Sequence, residues 1–514
     1  LLRIERGLGH GGSIGKAPYN ADMTDLATEL FRVHDVRRIE AQAMALPGHD
    51  DWTLMQRAGA AALACLRTRW PLAQRLAVVC GSGNNGGDGY VVATLAYAAG
   101  MQVAVLRIGA RPTREPAARA WAQWHAAAGD VDIDHAHALA SADVVVDALF
   151  GIGLDRAPEG IHADAIAAIN ASGRPVIALD VPSGLNADTG HAPGCCVRAA
   201  ATMSFIAWKR GLWTGAAAEA CGERQLASLD LPLAAFADIS ADARCMTRAS
   251  LASALPPRAR DAHKGHAGQV LVVGGDFGFG GAAVIVARAA LRAGAGLVSV
   301  ATRPEHVSAL LAQQPEMMAH GVASADALDD LIERADVIAL GPGLGQGEWS
   351  VALARRACAS GKPLVLDADA LNLLAARRIE ARGECVLTPH PGEASRLLEA
   401  TVAEVMHDRY TSVRALAAKY RSTVVLKGAG SLIADASGRV FVCPFGNPGM
   451  ASGGMGDALT GVIAAFRAQG LDATTAARTG VLAHALAGDR AAQAGERGLL
   501  ASDVIAELRN VVNP

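Results

Sequence analysis

Charge of either sign is scarce. Asp, Glu, Lys and Arg make up 19% of 514 residues and the formal net charge is -3, too little to draw the chain to a phosphate backbone or an anionic bilayer. Aromatic residues amount to 4%, too few for the stacking platforms of single-strand-binding proteins. Neither a nucleic acid nor a membrane is an expected partner. Only six residues are lysine, against 41 arginines. A lysine kept inside a glycine-rich run then stands for its compact ammonium, although genomic base composition accounts for the bias equally well. The nine cysteines form no C-x-x-C pair and no His/Cys zinc spacing. They read as small hydrophobes in a reduced, cytoplasmic protein. No uninterrupted apolar run reaches membrane-spanning length; the nearest, Val91–Ile108, divides near Gly100 into a helix and a strand. Residues 1–22 lack the apolar segment of a secretory signal and read as a disordered or vector-derived extension ahead of Met23.

Apolar residues make up 51% of the chain, ample for large cores. The 56 glycines lack a three-residue period, which excludes collagen and suggests many tight turns. Two blocks of alternating strand and helix patterns follow. The first runs from about Thr24 to Leu233, with strands expected at Arg75–Cys80, Gln102–Ile108, Asp143–Phe150 and Pro175–Asp180. The second runs from about Leu251 to Asn513, with strands expected at Gln269–Gly274, Gly296–Ala301, Val337–Leu340, Pro363–Asp367, Glu384–Thr388 and Thr423–Lys427. These short runs rich in Val, Ile and Leu suit parallel sheets buried on both faces. Pro232–Arg260, with its Leu-Pro and Pro-Pro-Arg breakers, reads as a linker. The fold class expected is α/β in two domains, both βαβ in character and doubly wound, with ligands at the carboxyl ends of the strands.

In the first block, GSGNNGGDG follows a strand and opens a helix. Gly81, Gly83 and Gly86 match G-x-G-x-x-G, the pattern that brings backbone N–H groups to an anion. Arg107 stands where a dinucleotide-binding unit places an acid, so hydride transfer is not implied. The next strand exits carry Asp147 and Asp180, the latter followed by Pro182 and Ser183. Asn85, Asp147, Asp180 and Ser183 offer oxygen ligands without thiol or imidazole, suited to potassium, sodium or magnesium rather than zinc. The bland alternative makes the aspartates helix N-caps.

GSGNNGGDG, DALFGIGL and ALDVPSGLNADTG resemble the N-terminal, YjeF-type domain of NAD(P)H-hydrate epimerases, and the likeness covers nearly the whole first block. The resemblance implies that Asn84, Asn85, Gly86, Gly87 and Asp88 bind the hydrated nucleotide. Gly151, Ile152, Gly153, Leu154, Asp155, Arg156 and Ala157 would bind it too. It implies potassium on Asn85, Asp147 and Ser183, with Asp180 touching substrate as the acid/base. Lys209, in FIAWKRGL, stands where the family often carries a lysine, and the sequence assigns it no role.

The second block carries HKGHAGQVLVVGG, GPGLG, Asp367-Ala-Asp, TPHPGE, VLKG and GGMGD. The last is the strongest signal. Its glycines at a helix start can wrap a phosphoryl group, and Asp457 beside them can take a hydroxyl proton. No Lys-Ser/Thr follows, so it is not a Walker A loop; a lone N-cap aspartate is the plain alternative. A rigid-turn residue is the plainer alternative for His390 between its prolines, but TPHPGE is a specific string. Together these strings resemble the ribokinase-like superfamily and, within it, ADP/ATP-dependent NAD(P)H-hydrate dehydratases. That implies a C-terminal ribokinase-like α/β sandwich beside an N-terminal Rossmann-like doubly wound sheet. It implies the hydrate on Ala282, Gly343, His390 and Asp457, and the adenine nucleotide on Lys427, Gly428, Ala429, Gly430, Ser431 and Gly456. ADP with magnesium would be used in the second domain. Met455 replaces a residue that is often Thr in the family.

The organisation expected is an extension over 1–22, an epimerase domain over 23–235, a linker over 236–250 and a dehydratase domain over 251–514, assembled as a homo-oligomer. The function implied is repair of hydrated NADH and NADPH: epimerisation of the R and S forms, then ADP-dependent dehydration of the S form. Two other readings are a small-molecule kinase fused to a binding module, and a YjeF-like interaction module of the kind found in RNA-processing scaffolds.

Overall fold

The computed structural model describes residues 27–128, 134–381 and 384–513; the extension over 1–22 and Met23 lie outside them. Among the described residues, eighteen strands form two sheets. In the first half these are β1 (Glu29–Phe31), β2 (Arg75–Cys80), β3 (Gln102–Arg107), β4 (Val144–Ala148), β5 (Val176–Leu179), β6 (Ala201–Phe205), β7 (Trp208–Lys209) and β8 (Glu223–Ala227). Next come β9 (Ala243–Cys245), β10 (Gln269–Val273), β11 (Leu297–Thr302), β12 (Met318–Gly321), β13 (Val337–Leu340), β14 (Leu364–Leu366), β15 (Cys385–Leu387), β16 (Thr423–Leu426), β17 (Ser431–Ala434) and β18 (Val440–Cys443).

The smaller sheet has the order β3-β2-β4-β5-β6-β8 and is parallel throughout. The chain runs outward from β2 to β3 and then crosses back to β4. The carboxyl ends of β2 and β4 therefore flank a topological switch point, where an α/β sheet leaves a crevice. The helix Asn84–Ala98 starts there.

The larger sheet has the order β12-β11-β10-β13-β14-β15-β16-β17-β18-β9-β1-β7. Its first seven strands are parallel, with the switch point between β10 and β13. An antiparallel hairpin, β17–β18, follows. Along β10, Val270 and Val272 face one core while Leu271 and Val273 face the other, so the whole strand has to be apolar.

The last three strands of this sheet come from earlier in the chain. β9 lies parallel to β18, β1 antiparallel to β9, and β7 parallel to β1. The segment 236–250, expected as a linker, thus contributes a strand. One core continues across both halves, joining Leu30, Val181, Trp208 and Leu212 to Leu271, Leu366 and Leu426. No described helix is long and apolar enough to cross a membrane.

Candidate functional site

The first cluster lies at the carboxyl ends of β2, β4, β5 and β6. Tight glycine packing shapes it. A Cβ on Gly81 would lie 2.1 Å from the Leu149 carbonyl oxygen, and one on Gly86 would lie 2.0 Å from that of Gly81, so this loop folds back on itself only with bare backbone. Beyond it, Asn85 is buried, and among the described residues neither its amide oxygen nor its amide nitrogen has a partner. Such an orphan is costly unless a ligand satisfies it.

Asp147 is fully buried at the end of β4. Its carboxylate accepts from the Ser183 hydroxyl at 2.6 Å and the Ser183 N–H at 2.8 Å. Burial pushes it up to about 6 despite those bonds. The Ser183 Oγ in turn accepts from the Phe150 N–H at 2.8 Å, which ties the exits of β4 and β5 together.

Asp180 follows β5 with φ 63, a left-handed conformation that Asp tolerates better than most residues. The Val181 N–H donates to the Leu179 carbonyl at 2.8 Å, closing a three-residue turn around it. The neighbouring strand ends alike: Ile206 has φ 70 and the Ala207 N–H donates to the Phe205 carbonyl at 2.8 Å. The two pinched exits bring Asp180 against Lys209. Lys209 is 1% exposed; its ammonium donates to Asp180, to the Phe205 carbonyl at 2.6 Å and to Ser204 at 3.2 Å. A Cβ on Gly151 would touch both Asn85, at 3.3 Å, and the Asp180 Oδ2, at 3.4 Å, so the second glycine loop closes over the same spot. Glu40 and Asp88 also face this pair. Burial and the Asp180 charge raise both carboxyls, while the Lys209 ammonium lowers them. Ile152 packs against the core, whereas Asp155 and Arg156 are exposed and make no hydrogen bond or ion pair with this cluster among the described residues.

The second cluster lies at the β10/β13 switch point and along β14–β16. The Gly345 N–H donates to Asp369 at 2.8 Å. Gly343, with φ +60, approaches the Phe279 carbonyl and the Ala282 Cβ so closely that its own Cβ would lie 2.6 and 3.1 Å from them. Ala282 and Gly343 thus form one wall. Asp367, 1% exposed, accepts from the Lys427 ammonium at 2.7 Å and the Thr460 hydroxyl at 2.8 Å. Burial raises Asp367, but these donors outweigh it and hold it below its ordinary range. Burial opposes the Lys427 charge, and Asp367 with Glu393 more than restores it.

Gly454 adopts φ +86 and caps the helix Met455–Ala468 without any side chain. A Cβ on Gly456 would lie 3.1 Å from the Lys427 Nζ, so this helix N-terminus faces the ammonium directly. The Asp457 carboxylate makes no hydrogen bond among the described residues, and the N-cap of this helix is Gly454, so Asp457 is not an N-cap. Burial and Asp367 push its carboxyl up to about 6, with Lys427 pulling it down. His390 does cap a helix: its Nδ1 accepts from the Gly392 N–H at 3.0 Å while Glu393 accepts from the His390 N–H at 2.8 Å. The His390 side chain stays half exposed, with Nε2 3.5 Å from Glu393.

Comparison with known proteins yields matches over both halves. The family described as YjeF-related protein N-terminus matches residues 52–211, and that described as NAD(P)H-hydrate dehydratase matches 270–510. The chain is 47% identical to the bifunctional NAD(P)H-hydrate repair enzyme Nnr of Coxiella burnetii, over 95% of this chain and 100% of that one. It is 43% identical to the protein of the same name from Escherichia coli K12, over 94% of each chain. The chain belongs to the bifunctional NAD(P)H-hydrate repair enzymes. Among solved structures, a ribokinase-like superfamily protein of Enterococcus faecalis superposes with a TM-score of 0.50 at 30% identity, covering 53% of this chain and 96% of that one.

Several residues of this repair enzyme went unassigned from sequence. Lys209 pairs with a residue 29 positions away, which no local pattern reveals. Glu40 comes from an ordinary amphipathic helix. Asp367 and Glu393 sit inside noted strings, and a carboxylate ending an apolar strand was the signal available for Asp367.

Proposed function

We propose that this enzyme returns hydrated NADH and NADPH to their usable forms in two steps, one in each half. In the first, R and S hydrates interconvert, with Asp180 moving the proton and Lys209 holding the carboxylate in place. Asn84–Asp88 and Gly151–Ala157 hold the nucleotide. The residues present fit a potassium ion. The unpartnered Asn85 oxygen, the Asp147 carboxylate and the Ser183 hydroxyl are hard oxygen donors, and the ion would supply positive charge beside substrate phosphate.

In the second half, the hydroxyl of the S hydrate attacks the terminal phosphoryl group of ADP, leaving AMP. Asp457 takes the hydroxyl proton. The N–H groups at the start of the Met455–Ala468 helix stabilise the transferring phosphoryl group. Phosphate then leaves with its bonding electrons, and loss of a ring proton restores the dihydropyridine. Hydroxide is too basic to leave directly, which is why the nucleotide is consumed. Ala282, Gly343 and His390 hold the hydrate; Lys427–Ser431 and Gly456 hold ADP, and magnesium would neutralise its phosphates.

The observation that carries this reading is Asp457: a carboxyl free of hydrogen bonds, beside a bare glycine helix start and the Lys427 ammonium. The test incubates mixed hydrates with ADP and follows NADH absorbance. Asp457→Ala is expected to abolish recovery of both epimers. Asp180→Ala is expected to leave the S form recovered and the R form stranded. Full recovery by Asp457→Ala, or a stable phosphorylated product from the wild type, would overturn it.

A further inference from the structure

The loop after β16 does not stand alone. Gly430 has φ +61, and a Cβ there would lie 2.0 Å from the Trp213 carbonyl oxygen and 2.7 Å from the Thr214 Cα. The Thr214 hydroxyl donates to the Gly430 carbonyl at 2.8 Å, and the Gly215 N–H to the Ala429 carbonyl at 3.2 Å. Below the loop lies Arg409, 1% exposed. Its Nε donates to the Thr214 Oγ1 at 2.9 Å and its terminal nitrogens to the Leu426 and Lys427 carbonyls at 3.2 and 3.3 Å. A Cβ on Gly428 would lie 3.0 Å from the same guanidinium. The Thr214 hydroxyl therefore both receives from Arg409 and gives to the loop.

Trp213, Thr214 and Gly215 belong to the first half. They follow Lys209, the partner of Asp180, within six residues. Between them Arg210 is pinned: its guanidinium reaches Asp242 at 2.6 Å and its carbonyl accepts from the buried Tyr410 hydroxyl at 2.8 Å. One short, buried segment thus touches the acid of the first cluster and the loop Lys427–Ser431 of the second.

We propose that Thr214 and Arg409 are positioning residues for the adenine nucleotide, so that the first half completes the nucleotide site of the second. The inference rests on reading Lys427–Ser431 as the nucleotide loop. Without the Thr214 hydroxyl, the buried Arg409 loses an acceptor and the half-buried Gly430 carbonyl a donor, and the loop is no longer held in its left-handed turn. Binding suffers first, because neither side chain touches the reacting phosphoryl group.

The test uses the full chain. Binding of ADP with magnesium is measured by calorimetry, and KM and kcat with mixed hydrates. Wild type must bind ADP and recover NADH; if it does neither, the functional reading fails and not this one. Thr214→Val is expected to raise Kd and KM for ADP roughly tenfold while kcat at saturating ADP stays within about twofold. Thr214→Ser is expected to restore wild-type binding, and Thr214→Ala replaces valine should that variant not fold. Wild-type ADP affinity in the valine or alanine variant, or a fall in kcat at unchanged KM, would overturn the proposal.

Discussion

At Asp457, burial and the neighbouring Asp367 charge place the carboxyl at about 6. The proposed base must be ionised to act, so dehydration is expected to be full above that value and to fall about tenfold per pH unit well below it. Measuring kcat from pH 4.5 to 8 checks this. The same shift affects folding with the opposite sense. A raised carboxyl favours the protonated fold, so its stabilisation is present at low pH and lost as pH rises through about 6. Asp457→Asn should therefore be inactive yet melt no lower than wild type, its relative advantage growing between about pH 4 and 6 and level above that. At the other cluster, Lys209 is buried against Asp180. Lys209→Met leaves that carboxylate uncompensated and is expected to cost about 3–5 kcal/mol in urea denaturation. Adding Asp180→Asn should recover part of the loss; strict additivity would show that the pair is not coupled.

The proposed sites of both halves are built from strand-exit loops, and the glycines of those loops are geometric requirements. Gly86→Ala would drive its Cβ to 2.0 Å from the Gly81 carbonyl oxygen. The loop must open, taking Asn85 with it. Epimerisation is expected to fall at least tenfold, an order-of-magnitude figure for a displaced site, while dehydration of the pure S hydrate is retained. Assaying each epimer separately distinguishes a local lesion from general unfolding. The apolar parallel strands were legible because burial on both faces demands continuous Val, Ile and Leu: β2 and β13 have the bounds expected, and β10, β14 and β16 differ by a residue or two. The very short β1, β7 and β9 were not, since two or three residues carry no period. The β17–β18 hairpin had a signal that was passed over, the turn at Ser437 and Gly438, where Gly438 takes φ +86.

Across the whole molecule, the two halves share a sheet, a core and a charge knot. Asp242 accepts from Arg32 at 2.8 Å, Arg210 at 2.6 Å and Arg414 at 2.9 Å, residues from three distant stretches. Burial opposes its ionisation, but the guanidiniums prevail and hold it below the usual carboxylate range. Its stabilisation is then present at neutral pH and lost as pH falls through that depressed value. Asp242→Asn is expected to lower the melting temperature at pH 7, by an amount equivalent to about 3–5 kcal/mol, with the gap closing toward pH 3. A constant gap across that range would show that the carboxylate's charge is not what matters.

By itself the sequence determined the two βαβ blocks, the glycine loops at their strand exits and the acids Asp147, Asp180 and Asp457, because continuous burial, tight turns and a carboxylate in an apolar run are local demands written in local residues. Tertiary structure alone decided that Lys209 meets Asp180, that Glu40 and Asp88 face them, that Asp367 and Glu393 flank Lys427, and that 213–215 braces the loop after β16. Those contacts join residues far apart in the chain, and partners brought together by sheet order leave no periodicity to read.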